Sequence, residues 1–304
     1  MKAEPVYIEH RDIDKERWDD CIRRSPGGRI YAFSFYLDKM SPGWNALVWK
    51  DYEAVMPLTW KRKYGIHYLS QPFLAAQLGV MGAEVHSSII QAFLEAIPRR
   101  YRYIDISLNP TNRAGIPGFP FISRMNLVLP LQEEYTALQG RYNENLRRNL
   151  RKAEQAGLFS NRETPVNDVI RLAIAQMKSQ GQESTNNIMR FRELFARLEE
   201  RGLTETYGVY REDDLLASAV FFFSHQRAYY ILVGNDPKGR DSGASHMLID
   251  SFIRNHAGKD LVLDFEGSDI TTLASFYKSY GAVPEPYPAL RVNRLPFFLK
   301  WLKS

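Results

Sequence analysis

Apolar residues recur along this chain with two periods, and the switches between them outline its elements. The spacing predicts a short helix over Asp14–Cys21 and a turn at Pro26–Gly28. Strand-like segments follow at Asn45–Trp49, Ala54–Lys61 and Ile66–Leu69, with a turn at Asp51-Tyr52, as in an antiparallel meander. Ile89, Ile90, Phe93, Leu94 and Ile97 fall on one helical face within His86–Ile97, and Pro98 ends it. A buried strand is expected at Tyr103–Leu108, a loop at Gly115–Pro120 and another strand at Met125–Leu129. Glu133–Gly157 reads as helix, with Gly157 as its stop. Beyond it come helices at Val166–Ser179 and Asn187–Arg201, then strands at Glu205–Tyr210, Leu215–His225 and Arg227–Val233. A polar loop, Gly234–Ser242, leads into a helix ending near His256. Leu261–Phe265 is strand-like, Thr271–Tyr280 a short helix and Ala289–Val292 a last strand.

The second half repeats the order of the first. Asp51 precedes the strand residue Asp105 by 105 − 51 = 54 residues, and Asp213 precedes Asp264 by 264 − 213 = 51. Each interval holds strand, strand, helix, strand. An internal duplication accounts for this order, and two unrelated α/β halves are the alternative. At 304 residues the chain suits about two domains, divided as 1–140 and 141–304.

Charge sharpens the picture because it is uneven. The net charge is +5, yet Arg141, Arg147, Arg148, Arg151 and Lys152 against Glu144 give 5 − 1 = +4 within twelve residues. A generally basic nucleic-acid-binding surface is thereby disfavoured. Two rows stack on a helix at this spacing, Arg147 with Arg151 and Arg148 with Lys152. A solvated face is one reading; a clamp for an anionic acceptor is the other. The single cysteine, Cys21, excludes an intramolecular disulfide framework and is expected to be inert. The amino-terminal residues lack the apolar stretch of a signal peptide, and the longest apolar run, Leu215–Phe223, is too short for a membrane helix. A cytoplasmic protein without an integral membrane segment is expected. The six histidines show no metal-ligand spacing, so no metal is expected. Leu295–Lys303, with Pro296, Phe297, Phe298, Lys300 and Trp301, is expected to be a docked terminal helix rather than a membrane-grazing one.

The richest chemistry lies between Gly234 and Ser245. A polar glycine-bearing loop ahead of a helix offers backbone N–H groups to a phosphate or diphosphate, and Lys238 and Arg240 add charge. Neither a Walker loop nor a G-x-G-x-x-G is present. Arg240-Asp241-Ser242-Gly243-Ala244-Ser245 and Tyr277-Lys278-Ser279-Tyr280-Gly281, in this order of strand, loop, helix, strand and short helix, resemble the GNAT acyltransferase family. The first stretch is similar to that family's [QR]-x-x-G-x-[GA] coenzyme A loop, with Ser245 in its last place. The run from Asn145 to Leu158, Asn-Leu-Arg-Arg-Asn-Leu-Arg-Lys-Ala-Glu-Gln-Ala-Gly-Leu, together with Asp264-Phe265-Glu266-Gly267, resembles the tandem-GNAT, FemAB-like relatives of the Fem-type aminoacyltransferases.

The resemblance implies an α/β (α+β) fold of two tandem GNAT-like domains, each a mixed, mostly antiparallel sheet flanked by helices, the first one degenerate. It implies acyl transfer from acetyl or another acyl coenzyme A to an amine or hydroxyl. Lys238, Gly239, Arg240, Ser242, Gly243, Ala244 and Ser245 would hold the coenzyme, with Leu232 and Val233 along its pantetheine arm. Tyr277 would protonate the leaving thiolate, and Glu266 or Asp264 would serve as base. Arg147, Arg148, Arg151 and Lys152 would hold a small-molecule or peptide acceptor, such as an anionic cell-wall precursor. A Fem-like transfer from aminoacyl-tRNA is an alternative, disfavoured because no long paired-helix arm is visible and Tyr277 stands where that group commonly carries lysine. A catalytically inactive binding module is a further alternative.

Overall fold

The computed structural model describes residues 4–112, 115–179, 185–267 and 269–296. The chain forms two compact units, residues 1–125 with 286–304, and residues 126–285. They divide elsewhere than the 1–140 and 141–304 expected from sequence, and the first is discontinuous.

Unit 1 opens with β1 (Val6–Ile8), α1 (Lys15–Arg24) and α2 (Ser34–Met40). Asp14 caps α1 by accepting a hydrogen bond from the Arg17 N–H. Then come β2 (Asn45–Trp49), β3 (Ala54–Leu58), β4 (Trp60–Lys63), β5 (Ile66–Ser70), β6 (Met81–Gly82), α3 (Ser87–Glu95) and β7 (Tyr101–Ser107). The segment Ala54–Lys61, expected as one strand, is two. Its first part, β3, pairs antiparallel with β2 and β6, while β4 joins β5. β5 and β7 are parallel, connected through α3. Leu47, Met56, Phe93, Leu94, Ile104 and Ile106 share the buried core. Cys21 is buried, and burial pushes its thiol up to about 11.

The chain enters unit 2 inside β8 (Phe121–Pro130). The region expected as one helix is broken into α4 (Tyr135–Gly140) and α5 (Glu144–Gln155), because Asn143 caps a fresh helix through its side-chain oxygen at 2.9 Å from Leu146 N. β9 (Phe159–Arg162), α6 (Val166–Ser179), α7 (Thr185–Glu199), β10 (Thr204–Arg211), β11 (Asp214–Ser224) and β12 (Arg227–Asn235) follow. A one-turn helix, α8 (Pro237–Arg240), sits within the expected loop, ahead of α9 (Ala244–His256), β13 (Val262–Asp264) and α10 (Thr271–Lys278). The strands run in the order β8-β13-β12-β11-β10-β9, all antiparallel neighbours except β12 and β13, which are parallel. Phe252 of α9 stacks on Phe221 at 3.9 Å between ring centres, in a core with Tyr207, Leu248 and Leu263. On β12, Gly234 lets α6 lie against the strand: a Cβ there would stand 2.6 Å from Ala173 N.

The chain returns to unit 1 inside β14 (Val283–Asn293). β14 pairs antiparallel with β7, just as β8 pairs antiparallel with β13. The halves thus repeat one motif, a parallel pair flanked by an antiparallel strand. In each, that flanking strand is supplied by the other half's sequence. Residues 297–304 lie outside the described residues, and with them all of the expected terminal helix except Leu295 and Pro296.

Candidate functional site

In unit 2, β12 and β13 run together only from Arg227–Val262 to Tyr229–Asp264. Beyond that point β12 continues along β11 alone, and the register skips Ile231, since Val220 opposes Leu232 while Phe221 opposes Tyr230. A bulge at that place re-aims the backbone beside the parting of two strands. Leu232 is buried and Val233 half-buried on the strand that continues.

The loop that follows leads to the start of α9. Gly243 is the N-cap, left-handed at φ +80°, with no side-chain cap on the first-turn N–H groups. Such groups have no intrahelical acceptor and favour an anion. Packing requires a glycine at position 243. A Cβ there would collide with the Asn149 carbonyl oxygen and come within 3.4 Å of Ala153 Cβ, so the glycine lets α5 lean on α9. Gly239 is also set by packing, with Leu216 O at 2.8 Å from a would-be Cβ. The Ser242 hydroxyl donates to Gly239 O at 3.0 Å, and the Ser245 hydroxyl to Asn235 Oδ1 at 2.5 Å, so both hydroxyl protons are committed internally. Lys238 lies 3.5 Å from Asp214 in an exposed pair. Ala244 is buried at the first turn, and Arg240 is exposed. Of the loop side chains expected to bind, Arg240 is the one most open to a ligand.

Asp264 ends β13 almost wholly buried, at 2% exposure. Its Oδ2 accepts from Arg227 Nη1 at 2.7 Å; its Oδ1 accepts from Asn126 Nδ2 and from the Glu266 N–H, both at 2.9 Å. Both Asp264 oxygens are thus engaged, one of them by a buried guanidinium. Arg227 also donates to Glu285, at 2.7 and 3.0 Å. Burial works to lower the Arg227 pKa, but the Asp264 charge and the Glu285 hydrogen bond outweigh it and raise it. Asn126 Oδ1 in turn accepts from the Gly267 N–H at 2.7 Å. The network clamps a turn in which Glu266 is left-handed at φ +66°, a conformation that costs a side-chain-bearing residue roughly 1–2 kcal/mol.

Glu266 is half-buried, and its charge is felt at Tyr277. Tyr277 is buried, its ring stacked on Phe265 at 4.2 Å and edge-on to Tyr230 at 6.4 Å. Burial, then the Glu266 charge, raises its pKa well above the ordinary phenol value. At the start of α9, burial pushes His246 down to about 4, and its ring meets Phe276 edge-on at 4.9 Å.

The basic rows of α5 separate. Arg147, Arg148, Arg151 and Lys152 are all exposed. Arg147 and Arg151 line a cavity of about 380 Å³ with Arg254 and Asp250 of α9, whereas Arg148 and Lys152 do not line it. Asn126, Arg227, Glu285, Asp250 and Arg254 escaped sequence reasoning. One signal was available: Asp250 interrupts the apolar face of Leu248, Ile249, Phe252 and Ile253.

Residues 140–279 match the family model described as an acetyltransferase (GNAT) domain, so this part of the chain is a GNAT-superfamily domain. In fold the chain as a whole resembles FemX and a tandem GNAT protein. It is similar to the crystal structure of FemX, with a TM-score of 0.64 at 14% identity over 96% of this chain and 98% of that one. It is also similar to the C-terminal domain (DUF2156) of a protein assigned as a lysylphosphatidylglycerol synthetase from Agrobacterium fabrum, with a TM-score of 0.59 at 11% identity over 95% and 94%. A tandem GNAT protein from the clavulanic acid biosynthesis pathway gives a TM-score of 0.52 at 11% identity over 96% and 99%. No curated protein sequence matches the chain. Among the described residues, no helix is long and apolar enough to cross a membrane.

Proposed function

We propose that the chain is an acyltransferase that takes its acyl group from a coenzyme A thioester and passes it to an amine or hydroxyl. The observation that carries this reading is the parting of β12 from β13 at Tyr229–Asp264, with the Ile231 bulge, ahead of the Gly243 N-terminus of α9. The open edge of β12 offers room along Leu232 and Val233 for an extended arm. The first-turn N–H groups at Ala244 and Ser245, with the Arg240 side chain, suit a diphosphate. A coenzyme A thioester held there supplies an activated acyl carbon and a thiolate leaving group.

The chain's own groups do the rest. N–H groups on the freed side of β12 are available to a carbonyl oxygen. Tyr277 holds its proton firmly at neutral pH, as its raised pKa requires, and donates it to the departing sulfur. Glu266 takes the proton from the attacking amine or hydroxyl. Asp264 serves by fixing the Glu266 N–H, without exchanging protons.

Isothermal titration with coenzyme A tests the donor, since absence of binding to the wild type overturns it. Arg240→Glu should weaken that binding about tenfold. Tyr277→Phe should leave it within twofold while lowering acetyl transfer to an accepted amine by about 10²-fold or more, the usual range for a general acid.

A further inference from the structure

The cavity between α4, α5 and α9 has a floor and a rim of opposite character. On the floor, buried Asp250 accepts from the Tyr135 and Tyr142 hydroxyls through Oδ1, each at 2.8 Å, and from Arg254 through Oδ2 at 3.2 Å. Burial, followed by the Asp250 charge, pushes Tyr135 up to about 12 and raises Tyr142 further, so both phenols keep their protons and go on shielding the carboxylate. Arg254 also lies over the Tyr135 ring at 4.9 Å, which fixes its guanidinium at the cavity wall. The rim carries Arg147 and Arg151 one helical turn apart, with Thr136 and Gln139 as neutral hydrogen-bonding groups and Glu154 as the other carboxylate. Arg147 spends one Nη2 hydrogen on Gly140 O at 2.9 Å and keeps its other donors. Arg254 is paired with Asp250, so Arg147 and Arg151 against the exposed Glu154 leave one net positive charge at the rim, a balance that suits an anion. The volume, about 380 Å³, lies within the range of small-ligand pockets.

Its position relates it to the donor. Asn149, between the two arginines on α5, is the residue whose carbonyl oxygen abuts Gly243 at the start of α9. Asp250 lies seven residues further along that helix, about 10 Å at 1.5 Å per residue. An anion here stands along the same helix as a diphosphate at its N-terminus, within the span of one nucleotide-bearing ligand. We infer that Arg147 and Arg151, backed by Arg254, bind a phosphate monoester borne by the donor, as in the 3′-phosphate of coenzyme A. This rests on the donor reading above and replaces the expectation that all four basic residues hold the acceptor.

Titration of the full-length protein with coenzyme A and with 3′-dephospho-coenzyme A tests it. The wild type should prefer the phosphorylated form by about tenfold. Arg147→Gln/Arg151→Gln should abolish that preference without changing the affinity for the dephosphorylated form. Arg148→Gln/Lys152→Gln, on the row outside the cavity, should keep it. Equal wild-type binding of the two nucleotides, or a preference that survives in Arg147→Gln/Arg151→Gln, overturns the phosphate pocket and leaves the donor reading standing. Failure of both nucleotides to bind the wild type overturns the two together. A pocket serving the acceptor would show as an unchanged nucleotide preference in every variant, and that also refutes the inference.

Discussion

Replacing Arg227 by methionine removes the cation at the centre of the Asp264–Glu285 network while keeping most of the side chain's bulk. Arg227 is 12% exposed, Asp264 2% and Glu285 22%. Glu285 recovers some water when its partner goes, but Asp264 Oδ2 loses the donor at 2.7 Å with no solvent to replace it. Breaking a buried pair from one side costs about 3–5 kcal/mol, and here Asp264 carries most of the loss. At about 2–4 °C per kcal/mol for a domain of this size, the midpoint should fall by about 10 °C. Asp264→Asn alone leaves Arg227 bound to Glu285 and should cost about 2 kcal/mol. The double variant should cost about 3 kcal/mol, less than the sum of the singles, because the stranded charge is gone. Urea unfolding followed by circular dichroism measures all three. Lys238→Met serves as a control, since its exposed pair with Asp214 should contribute less than about 1 kcal/mol. A loss below about 1 kcal/mol for Arg227→Met, or additive single effects, would refute the clamp.

Two further outcomes concern pH and chain boundaries. With His246 held down to about 4 by burial, the unfolded chain binds the extra proton between pH 6.5 and 4, so stability falls as pH falls through that window. His246→Leu should flatten this part of the profile, which urea midpoints at pH 7 and pH 5 would reveal. A fragment spanning 121–285 should unfold cooperatively, whereas 141–304 should not, because it lacks β8 and the Asn126 clamp; equal unfolding midpoints for the two fragments would contradict the observed units.

Most elements of unit 2 were legible because their signals are local. The apolar stripe of α9, the alternation in β10 to β12 and the stop at Gly157 each lie within one window. β9 escaped because Phe159-Ser160-Asn161-Arg162 is exposed along its whole length and carries no buried face. α2 escaped because five of its seven residues are buried, four of them apolar, which blurs the helical stripe. At the candidate site, Tyr277 and Glu266 are singled out by their neighbours in sequence. The engagement of Asp264 is not, because Asn126 stands 138 residues away and nothing local marks it as a partner. The two arginine rows were visible in the spacing; which of them faces a cavity depends on α4 and α9 and could not be read from α5 alone.

The exchange of flanking strands also sets a timetable for synthesis. Unit 2 is contiguous, so all its strands have been made once Glu285 is added. β7 of unit 1 must wait for β14, from Ser107 to its partner Ala289, 182 residues later. At roughly 5–20 residues per second, that leaves a bare sheet edge for roughly 10–40 s on every nascent chain. Such an edge is a template for pairing with other chains. Premature termination just after Glu285 would therefore spare the proposed donor site and make the product prone to association through the strand it left unpaired.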